Sequence, residues 1–219
     1  MNFVEYIFLA VLSVLALNVA YLLFFGIAGL FNSKLKSRPI LKRESSFLIM
    51  VPGYKEDGVI VNVARNLSEI DYPKDKYDVL IIADSFHRDT LNHLNKIDVN
   101  VLEVCFEKST KAKALNKAVA SVKKQYDYSI IMDADNIVDK DFLNQIESVC
   151  KQEEIKVLQC HRVAKNINTN VAVLDTVSEE INNHIFRKGH VNLGLSSSLI
   201  GSGMVFDHRL ISSFLKKSQ

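Results

Sequence analysis

Two aspartates at the end of an apolar run are the residues of this chain best suited to chemistry. Asp133 and Asp135 directly follow the run Tyr128-Ser129-Ile130-Ile131-Met132 and precede Asn136. Two carboxylates held together repel each other unless a cation compensates them, and their hard oxygen atoms suit Mg²⁺ or Mn²⁺. The pattern predicts a divalent-metal site that would also bind nucleotide phosphates. The alternative is that these aspartates only cap the helix that follows.

Polar side chains also follow two other apolar runs. Asp84 ends the run at 79–83, and its carboxylate either accepts hydrogen bonds from a base or ribose or caps the next helix. Tyr54 and Glu56 lie just beyond the run at 47–51. The tyrosine is suited to stacking on a nucleobase and the glutamate to binding a ribose, unless both are ordinary surface residues.

Three lysines, Lys108, Lys111 and Lys113, surround the start of a predicted helix. The unsatisfied N–H groups and the dipole at the amino end of a helix already favour an anion. The cluster therefore predicts a diphosphate site. The alternative is a solvated basic turn, which is also the simplest interpretation of Lys117.

Segments late in the chain are candidates for the far side of the same cleft. The glycines of Gly201-Ser202-Gly203 permit a close backbone approach that a side chain would block, unless the segment is an ordinary turn. Gln159, His161 and Arg162 end the last apolar run and are candidates for an acceptor site, with a structural role as the alternative for the histidine. A later helical stretch carries polar residues that a solvated face explains equally well: Glu179, Glu180 and His184.

The elements that must position these residues alternate along the chain. Apolar runs predict strands at 47–51, 79–83, 99–104, 128–132 and 157–158, and helical patterns fall at 59–70, 89–97, 112–123 and 142–150. Such alternation predicts an α/β fold, a mostly parallel sheet with helices on both faces, in which ligands bind beyond the carboxyl ends of the strands. In the third helix, one apolar face is expected to contain Ala112, Leu115, Val119 and Val122.

The amino-terminal segment has a different character, because no charged residue occurs between Tyr6 and Phe31. A membrane span needs about 20 apolar residues, so residues 1–32 are predicted to form a transmembrane anchor rather than a signal peptide or a buried core helix. A basic linker at 33–46 marks the cytoplasmic side and favours contact with membrane lipid. The prediction is a single-pass protein of the cell inner or plasma membrane, with residues 47–219 in the cytoplasm. The basic residues are Lys34, Lys36, Arg38, Lys42 and Arg43.

Composition argues against two classes of protein. The three cysteines, Cys105, Cys150 and Cys160, have no C-x-x-C spacing, which disfavours a disulfide framework or a zinc site. They are interpreted as small buried hydrophobic residues. A net charge of +2 without a basic stripe of interleaved aromatic residues disfavours nucleic acid as a partner.

The order of the motifs is more specific than any one of them. They are V-P-G-Y-K-E at 51–56, I-I-A-D-S at 81–85, K-A-K-A-L-N at 111–116, M-D-A-D-N at 132–136 and G-S-G-M-V-F at 201–206. This order resembles family 2 glycosyltransferases, the GT-A fold group that includes cellulose and hyaluronan synthases. The likeness covers Phe47 to Phe206.

The resemblance implies a role for each matching position. A UDP-sugar is the favoured donor and Mg²⁺ or Mn²⁺ the cofactor. Asp133 would contact the ribose or sugar, Asp135 would hold the metal that neutralises the departing diphosphate, and Gly201 to Gly203 would shape the acceptor side. The remaining donor-binding residues are implied to be Pro52, Tyr54, Glu56 and Asp84 around the nucleoside, with Lys111 and Asn116 near the diphosphate.

One departure from the family pattern concerns the carboxyl-terminal end. Family members carry an acidic residue beyond the glycine motif that deprotonates the acceptor hydroxyl, followed by a Q-x-x-R-W-like segment. Neither is found after Asp207 in this sequence, which ends at Gln219. A GT-A domain at 47–219 is therefore expected to be incomplete at its carboxyl end.

Three hypotheses follow. The first is an inverting glycosyltransferase that transfers a sugar from a nucleotide-sugar to a glycan or lipid-linked acceptor in surface polysaccharide synthesis. The alternative is a catalytically incomplete, membrane-tethered nucleotide-sugar-binding or scaffold module. The third, a nucleotidyltransferase, would need a glycine-rich, arginine-containing first loop, which 52–56 does not provide.

Overall fold

The computed structural model describes residues 2–31, 44–153, 155–164 and 168–217. These residues belong to two compact units: one within Met1–Lys34 and His161–Ser198, the other within Leu35–Cys160 and Leu199–Gln219. The basic residues predicted to flank the anchor lie outside the described ranges: Lys34, Lys36, Arg38, Lys42 and Arg43.

In the described part of the chain, the second unit is built on a six-stranded sheet. Its strands are β1 Phe47–Tyr54, β2 Tyr77–Asp84, β3 Asn100–Val104, β4 Tyr128–Ile131, β5 Val157–Gln159 and β6 Met204–Asp207. They lie in the order β3-β2-β1-β4-β6-β5. β1 to β4 are parallel, whereas β6 is antiparallel to both β4 and β5. The predicted mostly parallel α/β sheet is confirmed.

The helices of the described chain account for most of the remaining residues. In chain order they are α1 Phe3–Leu30, α2 Ile60–Ser68, α3 Arg88–Leu94, α4 Lys111–Ser121, α5 Phe142–Glu153, α6 Asn170–Asn182, α7 Gly189–Asn192 and α8 His208–Lys217. A π-helical stretch, Asn183–Lys188, joins α6 to α7.

Helices cover both faces of the sheet because alternate residues of each central strand point to opposite sides. In β1, Phe47, Ile49 and Val51 join the core beneath α2, α3 and α5. Leu48 and Met50 join the core beneath α4 and α8. The strand is buried on both faces, which is why its sequence is a continuous apolar run rather than an alternating one.

The apolar face of α4 differs from the prediction. Its buried residues are Ala114, Leu115, Ala118 and Val119, whereas Ala112 is exposed and Val122 lies beyond the end of the helix. The helix is rotated so that two alanines approach the sheet. Small side chains at these positions let the helix pack closely, and a pattern search for larger apolar residues does not detect them.

Two elements of the sheet unit were not predicted. β6 has four residues, and α8 follows it directly. β6 forms because β4 and β5 each offer an unpaired edge, and Val205 at its centre pairs with Ile130 and Leu158. Such a short strand is stabilised mainly by pairing with strands that are distant in sequence, so its own residue pattern hardly predicts a strand.

The first unit contains α1 and the helical segment from α6 to α7. α1 begins with a capping box, in which the Asn2 side chain accepts a hydrogen bond from the Glu5 amide and the Glu5 carboxylate accepts one from the Asn2 amide, both at 2.9 Å. With 28 residues, α1 is the one helix of the described chain long and apolar enough to cross a membrane.

The three thiols differ in environment. Cys150 is buried and Cys160 is half-buried, as expected of small apolar residues, but Cys105 is exposed and this part of the prediction was wrong. Burial raises the pKa of Cys150 to about 11 and that of Cys160 to about 12. Both thiols therefore stay protonated near neutral pH and are poor nucleophiles.

Candidate active site

The carboxyl ends of β1, β2 and β4 meet at one edge of the sheet. Tyr54 and Asp84, the last residues of β1 and β2, are paired in register. The Met132 amide donates a hydrogen bond of 3.0 Å to the Met50 carbonyl, which extends the pairing of β4 with β1 by one residue. Asp133 follows immediately, so the structure brings the sequence-predicted strand-end residues to neighbouring positions.

Gly53 allows the loops beyond these strands to approach one another. A Cβ atom at this position would lie 2.7 Å from Cζ of Phe86, which follows β2, and 3.5 Å from Cβ of Ala134, which follows β4. Any larger residue would therefore collide with the Phe86 ring. The glycine brings the loop that contains Ala134 against the ends of β1 and β2.

Lys111 joins Asp133 to the glycine segment. Its ammonium nitrogen donates to Oδ1 of Asp133 at 2.5 Å and to the Gly201 carbonyl at 2.6 Å. Lys111 is the first residue of α4, whose amino end is capped by Thr110. Both charged side chains remain more than a third exposed, so a ligand can reach the pair.

Lys113 does not join this cluster. Its ammonium group donates to the Lys108 carbonyl at 2.9 Å. Of the three lysines predicted to surround a diphosphate, only Lys111 contacts an aspartate at the strand ends in the described chain. The Asn116 side chain is half-buried one turn further along the same helix.

Ser202 fixes the backbone that carries the two aspartates. Its side chain is fully buried, and its hydroxyl oxygen accepts hydrogen bonds from the Asp133 amide at 2.8 Å and the Asn136 side-chain amide at 2.5 Å. The serine therefore determines where the loop after β4 lies. Ser202 was predicted to lie on the acceptor side, and its role in positioning this loop was not predicted, because a serine in a glycine-rich turn carries no specific signal.

Gln159 holds the glycine segment in place. Its amide nitrogen donates to the carbonyls of Ser202 at 2.8 Å, Cys160 at 3.0 Å and Gly203 at 3.3 Å, and its oxygen accepts from the Ile200 amide at 3.0 Å. Both ends of the side chain are bound to backbone. In this structure Gln159 positions the loop rather than offering a free polar group.

The glycines of this segment are required by their backbone conformation. Gly201 has a φ of +87° and Gly203 a φ of +64°, a region that residues with a side chain rarely adopt. This conformation turns the Gly201 carbonyl toward Lys111 and leads the chain into β6. The predicted tight backbone approach is therefore present.

His161 and Arg162 lie in the other compact unit. Both are exposed, and His161 Nε2 is 2.9 Å from the Glu180 carboxylate. The structure groups them with the helical segment that contains Glu180, apart from Gln159 and the glycine segment.

Asp84 is almost completely buried, with 3% of its surface exposed. Its Oδ1 accepts a hydrogen bond of 2.9 Å from the Ser85 hydroxyl. The next helix begins at Arg88 and its cap residue is His87, so the alternative that Asp84 caps this helix was wrong. For the same reason Asp133 and Asp135 are not helix caps, because the helix after them begins only at Phe142.

The chain leaves β1 and β2 through two equivalent left-handed residues. Lys55 has a φ of 55° and Ser85 a φ of 59°, and each directly follows its strand. The Lys55 amide donates to the Asp84 carbonyl at 3.1 Å and the Ser85 amide to the Val104 carbonyl at 3.2 Å. Such conformations cost on the order of 1–3 kcal/mol in non-glycine residues and occur most often at functional sites.

Asp57 ties the loop after β1 to the start of α3 and was not singled out from the sequence. Its Oδ1 accepts from the His87 amide at 2.9 Å. Burial acts to raise the pKa of Asp57, but hydrogen bonds from the Thr90 hydroxyl and the His87 amide, together with the charge of His87, outweigh it and lower that pKa. The carboxylate is therefore ionised at neutral pH and fixes the loop that follows Tyr54 and carries Glu56.

Tyr54, Glu56 and Asp135 are exposed around this cluster. The Lys55 ammonium lies 5.2 Å from the centre of the Tyr54 ring. In the described residues, no protein group hydrogen-bonds to the Asp135 side chain, and no cluster of three or more His, Cys, Asp or Glu residues is arranged to hold a metal. Mg²⁺ commonly binds through one or two carboxylates together with substrate phosphates and water, and the residues present fit that mode.

The geometry at the strand ends agrees with a comparison to known families. The sequence profile of Glycosyltransferase like family 2 matches residues 44–219. The chain belongs to this family. The match covers every strand and helix of the sheet unit that the structure describes in this family 2 chain, including β6 and α8.

Curated relatives include a beta-monoglucosyldiacylglycerol synthase from Trichormus variabilis and one from Nostoc sp.. Each is 25% identical to the family 2 chain over 171 residues, which are 75% of this chain and 36% of the relative. The chain therefore spans little more than a third of the length of these relatives.

Solved structures with the same fold include a mannosyltransferase from Pyrobaculum calidifontis in complex with GDP-Man and Mn²⁺. Its TM-score is 0.68 at 18% identity, covering 93% of this chain and 56% of that one. The S. aureus TarS 1–349 fragment in complex with UDP-GlcNAc has a TM-score of 0.55 at 18% identity, covering 77% of this chain and 47% of that one. These likenesses show the GT-A fold of the family 2 chain.

Proposed function

We propose that this chain is the donor-binding part of an inverting glycosyltransferase that transfers a sugar from a nucleotide-sugar to a lipid-linked or glycan acceptor. The observation that carries the proposal is the Lys111–Asp133–Gly201 contact at the strand ends of a family 2 domain. It joins one cation, one carboxylate and a glycine segment at the edge of the sheet where such folds bind ligands.

Within this proposal, the residues at the ends of β1 and β2 bind the nucleoside. Tyr54 is exposed and available for stacking on the base. Asp84, which pairs with Tyr54 in the sheet, is buried, and its carboxylate is oriented by the Ser85 hydroxyl. Pro52 shapes the strand end, and Glu56 binds the ribose.

Lys111 and Asn116 on α4 bind the diphosphate. The Lys111 ammonium group is more than a third exposed, so a phosphate can reach it and compete with Asp133 for its hydrogen bonds. Asp133 then orients the ribose or the sugar. Because Ser202 holds its amide, the position of this carboxylate does not depend on Lys111 alone.

Asp135 is proposed to hold Mg²⁺ or Mn²⁺. The exposed carboxylate stands beside the predicted diphosphate site and leaves coordination positions for phosphate oxygens and water. The ion supplies charge neutralisation to the departing nucleoside diphosphate. The P. calidifontis structure, which contains Mn²⁺ and GDP-Man, supports this choice of cofactor.

Asp207 is not suited to deprotonating the acceptor. It pairs with Tyr128, the first residue of β4. Asp207 therefore lies at the amino end of β4, whereas Asp133 follows the carboxyl end of that strand. The Asp207 carboxylate also accepts a hydrogen bond of 2.9 Å from the Leu210 amide at the start of α8. The inverting chemistry of the proposal requires a base other than Asp207.

A lipid-linked acceptor is favoured over a soluble glycan. Two matching relatives are named as beta-monoglucosyldiacylglycerol synthases, and α1 is long and apolar enough to anchor the chain in a membrane. We propose that α1 spans the inner or plasma membrane and that the sheet unit lies in the cytoplasm.

The test is binding of UDP, GDP, UDP-glucose and GDP-mannose to the full chain in detergent, with and without Mn²⁺. Binding that requires Mn²⁺ and is lost in Asp135→Asn is expected. Asp98→Asn is the matched control, because Asp98 is exposed just before the amino end of β3. This variant should bind nucleotides as the unaltered chain does. Absence of binding for every nucleotide would contradict the proposal.

Turnover is a separate measurement. The chain is incubated with UDP-glucose or GDP-mannose and with phospholipid vesicles that contain diacylglycerol. Release of the nucleoside diphosphate from the donor distinguishes an active transferase from a nucleotide-sugar-binding module. Metal-dependent binding without release would favour the binding module.

A further inference from the structure

The helical segment from α6 to α7 exposes an apolar stripe. Val171, Leu174, Val177 and Ile181 recur at spacings of three and four residues, which places them on one side of α6. They are between 50 and 68% exposed. A helix of a soluble domain turns such a stripe toward the core, so the orientation of α6 requires an explanation.

The opposite side of the same segment is polar and less exposed. Arg187 donates to the Glu179 carboxylate at 3.2 Å and also contacts the Asn183 side chain. Only 17% of the Arg187 side chain is exposed. On this side of the segment polar groups bind one another, whereas the apolar stripe of α6 faces outward.

The segment packs directly on α1, whose own surface is apolar and exposed. His184 Nε2 hydrogen-bonds with the Gly26 carbonyl at 2.9 Å, and the His190 ring stacks on Phe25 with ring centres 3.9 Å apart. A Cβ atom at Gly189 would overlap the Phe25 carbonyl oxygen, so the two helices touch through backbone. The exposed apolar stripe of α6 therefore belongs to the same compact unit as the apolar surface of α1.

From this geometry we infer that the segment Asn170–Leu195 is a second membrane-contacting element, lying along the bilayer surface beside α1 with its apolar stripe in the lipid. It does not cross the membrane, because its charged residues would be too costly there: Asp175, Glu179, Glu180, Arg187 and Lys188. An amphipathic helix of this kind lies in the interface with its apolar face buried about 5–10 Å deep. The covered Glu179–Arg187 pair then lies away from the hydrocarbon.

A lipid surface explains the observations better than a protein partner does. The exposed surface of α1 is long and apolar enough to lie in lipid, and the α6 stripe belongs to the same unit. This step rests on the proposed membrane anchoring of α1. Further exposed apolar residues lie in and just after α7: Val191, Leu193 and Leu195.

The absence of tryptophan from the chain makes the inference directly testable. Single substitutions Leu174→Trp and Ile181→Trp place one reporter on the stripe. Asp175→Trp is the matched control, since Asp175 is exposed on the same helix but about 100° around it from Leu174. Leu15→Trp, in the middle of α1, reports full immersion.

The full chain is reconstituted into phosphatidylcholine vesicles with plain or acyl-brominated lipid, and tryptophan emission is compared. Emission from the Leu174→Trp and Ile181→Trp variants should be blue-shifted and quenched by bromine, though less strongly than emission from the Leu15→Trp variant. The Asp175→Trp variant should be quenched weakly. Equal quenching of all α6 variants, or strong quenching of Leu15→Trp alone, would overturn the inference.

Circular dichroism of each variant verifies that the fold is retained, and a variant that fails is replaced by Val177→Trp. The readout is independent of sugar transfer. Loss of nucleotide binding would therefore contradict the proposed function without affecting this inference.

Discussion

Lys111 is the charged residue on which the candidate active site depends most directly. It is shared between Asp133 and the Gly201 carbonyl, and a bound diphosphate would compete for the same ammonium group. The proposed site therefore exchanges an internal ion pair for a ligand, and its affinity reflects the difference between the two interactions.

Lys111→Met should weaken binding of the nucleoside diphosphate about 10- to 100-fold, because hydrogen bonds to charged groups contribute about 1.5–3 kcal/mol. Calorimetric titration of UDP and GDP measures the change. Lys117→Met is the control, since Lys117 is exposed on the same helix. Equal losses in the two variants would indicate a general effect of charge rather than a specific contact.

Ser202→Ala should destabilise the fold by about 1–3 kcal/mol, because the Asp133 amide and the Asn136 side chain lose their buried acceptor. Thermal unfolding followed by circular dichroism gives the loss as a lower Tm. Ser213→Ala removes an exposed hydroxyl and should change stability by less than about 0.5 kcal/mol. If the two variants unfold at the same temperature, Ser202 does not position the loop.

At the scale of elements, the close packing of the end of β1 against the loops after β2 and β4 requires a residue without a side chain, Gly53. Gly53→Ala should lower stability by about 1–3 kcal/mol through overpacking against Phe86. Gly58→Ala is the control, because no atom lies within 4 Å of its added Cβ.

Phe86→Leu should restore part of the stability lost in Gly53→Ala, because a smaller side chain frees the space that the new methyl group occupies. The Tm values of the two single variants and the double variant give the coupling between the sites. Strict additivity would indicate that the two residues do not collide.

The sequence carried enough information for β1, β2 and β4, because central parallel strands are buried on both faces and appear as continuous apolar runs. It also located Asp84 and Asp133, since residues after such runs fall at the ligand-binding edge. β6 and the roles of Ser202 and Gln159 were out of reach. Ser202 and its partner Asp133 are 69 residues apart in sequence, and Gln159 and its partner Ser202 are 43 apart. Hydrogen bonds between such distant residues produce no periodic pattern in the sequence.

The α6 segment illustrates a different limit. A solvated face was one of the interpretations left open for Glu179, Glu180 and His184. In the structure Glu179 pairs with Arg187, Glu180 with His161 and His184 with the α1 backbone. Periodicity identifies which residues share a side of a helix. It does not reveal which side faces outward, because that depends on the surrounding medium.

At the scale of the whole molecule, one half-buried carboxylate is expected to contribute to the acid sensitivity of the sheet unit. Glu147 Oε1 accepts from the Ser45 amide at 2.6 Å and pairs with Lys151 at 2.8 Å. Burial acts to raise the pKa of Glu147, but these contacts and the Tyr72 hydroxyl outweigh it and lower that pKa below its ordinary 4.5.

A lowered pKa means that the unfolded chain takes up the proton first as the pH falls. The stability contributed by Glu147 is therefore complete above about pH 4.5 and is lost as the pH falls through the lower folded-state pKa. Tm values measured from pH 7 to pH 3 should show Glu147→Gln less stable at pH 7, with the difference shrinking below pH 4.5. Glu69→Gln, at an exposed position, should follow the unaltered chain throughout.

The sheet unit is interrupted in sequence, since residues 161–198 separate β5 from β6. Gln159 and the Ile200 amide are hydrogen-bonded at 3.0 Å, and the Cys160 amide bonds the Gly203 carbonyl at 2.8 Å. The two ends of the interruption therefore leave the sheet unit side by side, and residues 161–198 can vary in length without disturbing the strands.

This arrangement has a consequence for biosynthesis. β4 lies between β1 and β6, so on the ribosome its outer edge has no partner until Met204 has been made. At about 5–20 residues per second, the stretch from Ile131 to Met204 takes roughly 4–15 s to translate. For that interval β4 has one unpaired apolar edge, which is a site where another chain could pair with it.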